Sequence, residues 1–324
     1  MWRVNARPSV RRSVAYFVEF FSCHRTTVTQ FNVALTFLEK NMATVWTPAE
    51  GQGSSSLEQL LSRTLVIVAH PDDESVSCGA LLQRIASSLV VFCTDATPES
   101  PYFWKPYYSR EAYQNLRRTE AFKALKIAGV SKVEFLDGNR SDSAFRDQSL
   151  YRVLPQAMKA LDQAFLRFRP EAILAPAYEG GHPDHDSCSF LANALGRKCG
   201  IQVWEMPLYH RCAKGSLVCQ YFLDLRGSEV ELHPEGDELH LKKQMIDTYQ
   251  SQPSVWNFVR PGMVETFRPQ PEYDYSQPPH LGLLNYEAWQ WSMTGNDLCS
   301  AFDAFEERVP DMEALLAGAA SRTR

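Results

Sequence analysis

From residue 57 to 209 the apolar positions follow two alternating rhythms. Continuous apolar runs, several rich in β-branched residues, occur at 64–69 (TLVIVA), 89–94, 133–136, 172–175 and 203–209. Such runs suit strands buried on both faces. Helical spacing between them predicts helices over 75–88, 110–128, 150–168 and 187–198, with Gly129 and Pro170 acting as stops. The alternation predicts an α/β fold: a Rossmann-like, mostly parallel sheet with helices on both faces. Right-handed crossovers bring the strand C-termini to one rim, and ligands bind outside that rim. The polar turns 70–74 and 180–186 each follow a predicted strand, so two distant segments are expected to meet there.

After residue 213 the rhythm changes. Segments 217–226 and 229–233 predict a β-hairpin, and 238–249 predicts a helix. The Pro- and aromatic-rich stretch 253–291 predicts irregular structure folded over the rim, and 311–324 a short helix with a frayed end. The expected organisation is a poorly structured extension (1–56), a core (57–212), a smaller α+β or irregular C-terminal segment covering the substrate (213–310) and a tail (311–324). The Gly/Ser run at 51–56 reads as a flexible lead-in.

Composition narrows the function. Of 324 residues, 44% are hydrophobic and 22% charged, enough to bury a sizeable core. A net charge of −5 lacks the basic bias of a nucleic-acid binder, so no nucleic-acid partner is expected. No apolar run approaches the roughly 18 residues of a membrane span. Residues 1–41 hold five Arg and one Lys against two Glu, which leaves −9 on the other 283 residues. They read either as a targeting segment or as a stretch upstream of a start at Met42. Eight cysteines without a CxxC pair suggest buried thiols in a reducing, cytoplasmic setting. The pattern leaves self-association into a homo-oligomer open.

The chemistry sits in the two turns. The first reads His70-Pro71-Asp72-Asp73-Glu74 and the second Gly180-Gly181-His182-Pro183-Asp184-His185-Asp186. A five-residue string such as HPDDE arises by chance about once in a few million positions. Two imidazoles and a carboxylate suit a catalytic divalent metal with one position open to water, whose acidity the metal raises. Each proline stiffens the backbone beside a histidine, as rigid ligand placement requires. The adjacent Asp72 and Asp73 point different ways in an extended turn, so one can coordinate while the other reaches the water. Glu74 and Asp186 read as helix N-caps.

These turns resemble those of the LmbE-like, or PIG-L, family of zinc-dependent de-N-acetylases. The resemblance is clear over 62–210. It is looser over 242–252 (KKQMIDTYQSQ) and 279–291. It implies Zn2+, with Fe2+ or another divalent transition metal as alternative, held by His70, Asp73 and His185. It implies Asp72 as general base and Asp184 as orienter of a neighbouring imidazole. His182 would stabilise the tetrahedral intermediate or protonate the leaving amine. The implied activity is removal of an N-acetyl group from an N-acetylglucosamine-type sugar or glycoconjugate. An amidase of a related sugar conjugate and a non-catalytic metal- or sugar-binding relative are the alternatives. Arg117 and Glu120 match the family's R-x-x-E pattern, although a surface salt bridge would look the same. Asp95, Arg117 and Tyr178 are candidate substrate contacts. Tyr102, Phe103, Trp104, Tyr107 and Tyr108 read as a lid or stacking platform, or as plain packing.

Overall fold

The computed structural model describes residues 57–137, 144–212, 214–253 and 264–321, with side chains as far as residue 308. The expected extension, its flexible lead-in and the alternative start at Met42 lie outside those residues. The first strands are β1 (Arg63–Val68), β2 (Ser87–Phe92), β3 (Lys132–Phe135), β4 (Ala172–Pro176) and β5 (Val203–Met206). Between them run α1 (Asp73–Arg84), α2 (Pro101–Trp104), α3 (Arg110–Ile127), α4 (Leu154–Phe168) and α5 (Pro183–Cys199). Then come β6 (Tyr209–Arg211), β7 (Leu217–Cys219), β8 (Val230–Leu232), α6 (Gly236–Thr248), β9 (Glu265–Pro269), α7 (Asn285–Ala288) and α8 (Gly295–Ser321).

Among the described residues the main sheet has seven strands in the order β3-β2-β1-β4-β5-β9-β8. The first five are mutually parallel, as the alternation predicts. Along β1, Leu65 and Ile67 enter one apolar cluster while Val66 and Val68 enter another. Successive strand side chains face opposite ways, so an unbroken apolar run is what a strand covered on both sides requires. Leu161 of α4, Leu195 of α5 and Phe302 of α8 belong to the first cluster. Leu81 of α1, Leu125 of α3 and Met245 of α6 belong to the second. Each such side chain, taken from water into the core, contributes about 1.5–3 kcal/mol.

The C-terminal half departs from expectation. The run 203–209 does not form one strand: β5 ends at Met206, and Pro207, which has no N–H for a ladder, separates it from β6. The expected hairpin over 217–226 and 229–233 does not form. Instead β7 pairs antiparallel with β6, while β8 pairs with β9 at the edge of the main sheet. β9, in a stretch expected to be irregular, joins β5 antiparallel. Residues 213–310 thus extend the same sheet as the core. The tail helix is also longer than expected, since α8 runs unbroken from Gly295 to Ser321.

The chain reverses its direction of growth across the sheet between β1 and β4. In open α/β sheets that switch point is where ligands bind. Both polar turns leave the sheet there.

Candidate metal centre

The first turn is held by its own backbone. Asp73 begins α1, and its Oδ2 accepts from the amides of Ala69 at 3.2 Å and His70 at 2.8 Å. Asp72 has φ = +118°. That conformation strains a non-glycine residue by about 1–3 kcal/mol and concentrates at functional sites. The Asp72 amide donates to Glu74 Oε2 at 3.1 Å, and Val76 N donates to the Asp72 carbonyl at 3.0 Å. Glu74 is buried and also accepts from Ser75 Oγ and Tyr249 Oη. It therefore braces the turn as well as standing in the first turn of α1.

In the second turn α5 starts at Pro183, not at Ser187, because proline's fixed φ suits the first helical position. The cap is His182, whose Nδ1 accepts from Asp184 N at 3.2 Å. A ring nitrogen that accepts there leaves the proton on Nε2 of the neutral imidazole. Asp186 does not cap the helix. Its Oδ1 accepts from Glu179 N and Gly180 N at 3.1 and 3.0 Å, which closes the turn on itself. Gly181 must be glycine for space: a Cβ there would stand 1.8 Å from the carbonyl oxygen of Tyr209. Gly181→Ala should therefore lower stability by about 1–3 kcal/mol, seen as a lower urea midpoint with an unchanged slope.

The two turns meet. His185 Nε2 lies 3.2 Å from Asp73 Oδ1, and His70 Nδ1 lies 3.7 Å from Asp73 Oδ2. His70, His182 and His185 can each present a ring nitrogen within 4.8 Å of the others. Asp73 touches His70 and His185 through different oxygens, so it bridges the two imidazoles. His70 Nε2 also lies 3.2 Å from Asp184 Oδ2. Asp184 is pinned in turn by the amides of Gln148 (2.6 Å) and Leu150 (2.9 Å).

Asp147 is a site residue that sequence reasoning missed. Its Oδ1 is 3.6 Å from both His70 Nε2 and His182 Nε2, and the residue is buried. It groups with His70, His182 and Asp184 as a second potential cation-binding set. Nothing in Arg146-Asp147-Gln148 marks it as chemical. The route in is the hydrogen bond from its amide to Asp95 Oδ1, at 3.0 Å.

Electrostatics separate the groups. Burial raises the Asp72 carboxyl well above the usual carboxylate range, while the Arg117 guanidinium at 3.1 Å partly offsets that. Burial acts the same way on Asp73, but the His185 and His70 imidazoles more than offset it and hold it at about 2. Burial would lower His70, yet Asp147, Asp184 and Asp73 together raise it well above an ordinary imidazole. His182 is pushed down by burial and by its two histidine neighbours, in keeping with a neutral ring.

The residues fit a cation. Both ring nitrogens of His185 and Oδ1 of Asp147 are buried without a hydrogen-bond partner. The close approach of His185 to Asp73 is not aligned as a hydrogen bond. Buried polar atoms are normally satisfied, and an orphaned imidazole beside a carboxylate is what a divalent ion would satisfy.

The remaining candidates fall differently. Arg117 does not bridge Glu120. It donates to the carbonyls of Pro71 and Ala96 and to Asp72, whereas Glu120 accepts from Ser251 N and Oγ. Asp95 is occupied by the protein: Oδ1 accepts from Thr97 N and Asp147 N, and Oδ2 pairs with Arg110 and Arg146. Both of its oxygens have protein partners, and it organises the loops around the site. Tyr178 is a core residue, with Oη donating to the Gln277 carbonyl at 2.9 Å and its ring among Tyr273, Tyr275 and Phe302. In the aromatic loop Tyr107 packs on Tyr113, while Tyr102 and Tyr108 face solvent.

The α/β sheet thus gathers three histidines and several aspartates at its switch point. Residues 65–195 match the family model PIG-L, described as GlcNAc-PI de-N-acetylase. A 1D-myo-inositol 2-acetamido-2-deoxy-alpha-D-glucopyranoside deacetylase of Corynebacterium efficiens is 30% identical over 163 residues, covering 43% of this chain and 51% of that protein. Its counterpart from Nocardia farcinica is 25% identical over 168 residues, covering 45% and 55%. The chain thus spans about half the length of the curated relatives it matches. A deacetylase triple mutant of the teicoplanin biosynthetic pathway superposes with a TM-score of 0.50 at 19% identity, over 65% of this chain and 99% of that one. An A40926 pseudoaglycone deacetylase does so with a TM-score of 0.50 at 20% identity, over 64% and 97%. At that identity the likeness speaks to the fold. Among the described residues no helix is long and apolar enough to cross a membrane.

Proposed function

We propose that this chain is a metal-dependent amide hydrolase that removes the N-acetyl group from an N-acetylglucosamine-type sugar or glycoconjugate. The observation that carries the reading is the convergence of His70, His182 and His185 at the switch point, with Asp73 beside His70 and His185 and the nitrogens of His185 left without partners. The relatives' names supply the reaction class, since those proteins are deacetylases of a 2-acetamido sugar.

His70, Asp73 and His185 would hold the ion. A divalent cation there supplies Lewis acidity to water and to the amide carbonyl. Zn2+ suits a set of imidazoles and carboxylates. Asp72, buried and raised in basicity, takes the proton of the attacking water and passes it to the departing nitrogen. Arg117 fixes the Asp72 carboxylate in place. His182 keeps its proton on Nε2, so it donates to the oxygen that gains charge as the carbonyl is attacked. Asp184 holds the His70 ring through Nε2, and Asp147 faces both His70 and His182.

Purified protein, incubated with N-acetylglucosamine and with its glycosides, should release acetate. Activity should vanish on chelation and return with added Zn2+. Acetate release that is indifferent to chelation would overturn the reading.

A further inference from the structure

We propose that Trp289, Trp291 and Tyr209 form a stacking shelf for a neutral, apolar aglycone on the N-acylated sugar, an assignment that rests on the deacetylase reading above. The Trp291 ring stands edge-on to His182 at 4.9 Å, and the Tyr209 ring stands edge-on to His185 at 5.3 Å. Trp289 joins the two, 5.2 Å from Trp291 and 6.4 Å from Tyr209. Both α5 imidazoles therefore carry an aromatic neighbour. Trp289 is the outward end, 37% exposed.

The segment that presents this shelf is fastened to the metal turn. Asn285 N donates to the Gly180 carbonyl at 2.9 Å, and Asn285 Nδ2 donates to the Gly181 carbonyl at 3.0 Å. Tyr286 Oη donates to Asp186 Oδ2 at 3.3 Å. The shelf is thus held at a set place beside the chemistry and does not need ordering on binding.

Its chemistry selects the occupant. Across 279–291 the one carboxylate is Glu287, and both its oxygens are taken by the amides of Leu284 and Gly295. Arg211, which meets this segment, donates to Asn285 Oδ1 and to the Gly215 carbonyl, while its Nε and the His280 Nε2 have no hydrogen-bond partner. Leu281 and Leu283 add exposed apolar surface to the same segment. The exposed part of the shelf is made of ring and aliphatic surface, which binds flat or aliphatic groups.

The test compares three substrates with the full-length, zinc-loaded protein: N-acetylglucosamine, its phenyl glycoside and its 1-phosphate. The phenyl glycoside should show a kcat/KM about tenfold above the free sugar, expressed in KM, since one aromatic contact is worth roughly that factor. Trp289→Ala should bring that ratio close to one, and Trp289→Phe should restore most of it. An unchanged ratio in Trp289→Ala, or a preference for the phosphate, overturns the shelf. If no sugar releases acetate, the deacetylase reading fails by itself, and a tryptophan-fluorescence titration with the phenyl glycoside decides the shelf. Saturable quenching that Trp289→Ala abolishes supports it; quenching that survives the substitution, or none at all, overturns it.

Discussion

Asp72→Asn should leave a folded protein with its full metal content and almost no turnover. The amide has the size of the carboxylate and can still accept from Arg117, which lies 3.1 Å from Asp72 Oδ2. What it loses is the capacity to take a proton. Removing a positioned general base lowers kcat by about a hundredfold to ten-thousandfold. KM should change little, because Asp72 is assigned to the proton and not to the sugar. Asn differs from Asp in one terminal atom and places no new demand on the φ of +118°, so the fold is expected to hold. Zinc analysis, near-ultraviolet circular dichroism and single-turnover acetate release check the three parts together. A variant retaining even a tenth of the parent rate would remove Asp72 from the role of base.

His185→Ala should act at the other end of the site, on the ion itself. His185 is buried, approaches Asp73 at 3.2 Å and has neither ring nitrogen otherwise engaged. Its loss takes away a candidate ligand and leaves Asp73 facing an empty volume. Metal affinity should fall by more than the tenfold to hundredfold associated with changes behind the ligands. Thermal unfolding gives a readout independent of turnover. An ion at a hundred times its dissociation constant stabilises the native state by about 2.7 kcal/mol, and the variant should not show that rise when zinc is added. A zinc-dependent shift equal to the parent's would take His185 out of the ligand set.

The parallel core was legible because each of its strands is an unbroken apolar run, a pattern that only burial on both faces explains. The edge was not. β8 and β9 are short, and their partners are chosen by the sheet edge that β5 leaves open, a tertiary circumstance no local pattern records. The division at Pro207 could have been read from the sequence, since proline interrupts a ladder wherever it falls. At the site, His70, Asp72, Asp73, His182, Asp184 and His185 stood out because they cluster in two short strings. Asp147 did not, because it sits alone and reaches the histidines through a loop anchored on Asp95. Asp95 and Tyr178 are polar residues near strand ends whose protein partners no local pattern records: Asp95 pairs with loop amides and arginines, and Tyr178 with the Gln277 carbonyl.

The pairing of β1 with β4 carries a consequence for biogenesis. His70 and Asp184 are 114 positions apart, and the ring meets the carboxylate only once those strands lie side by side. A nascent chain that has emerged only through its first three strands carries His70 and Asp73 but lacks His185, the third proposed ligand. The proposed ion-binding set is therefore complete only after the central strands have found each other.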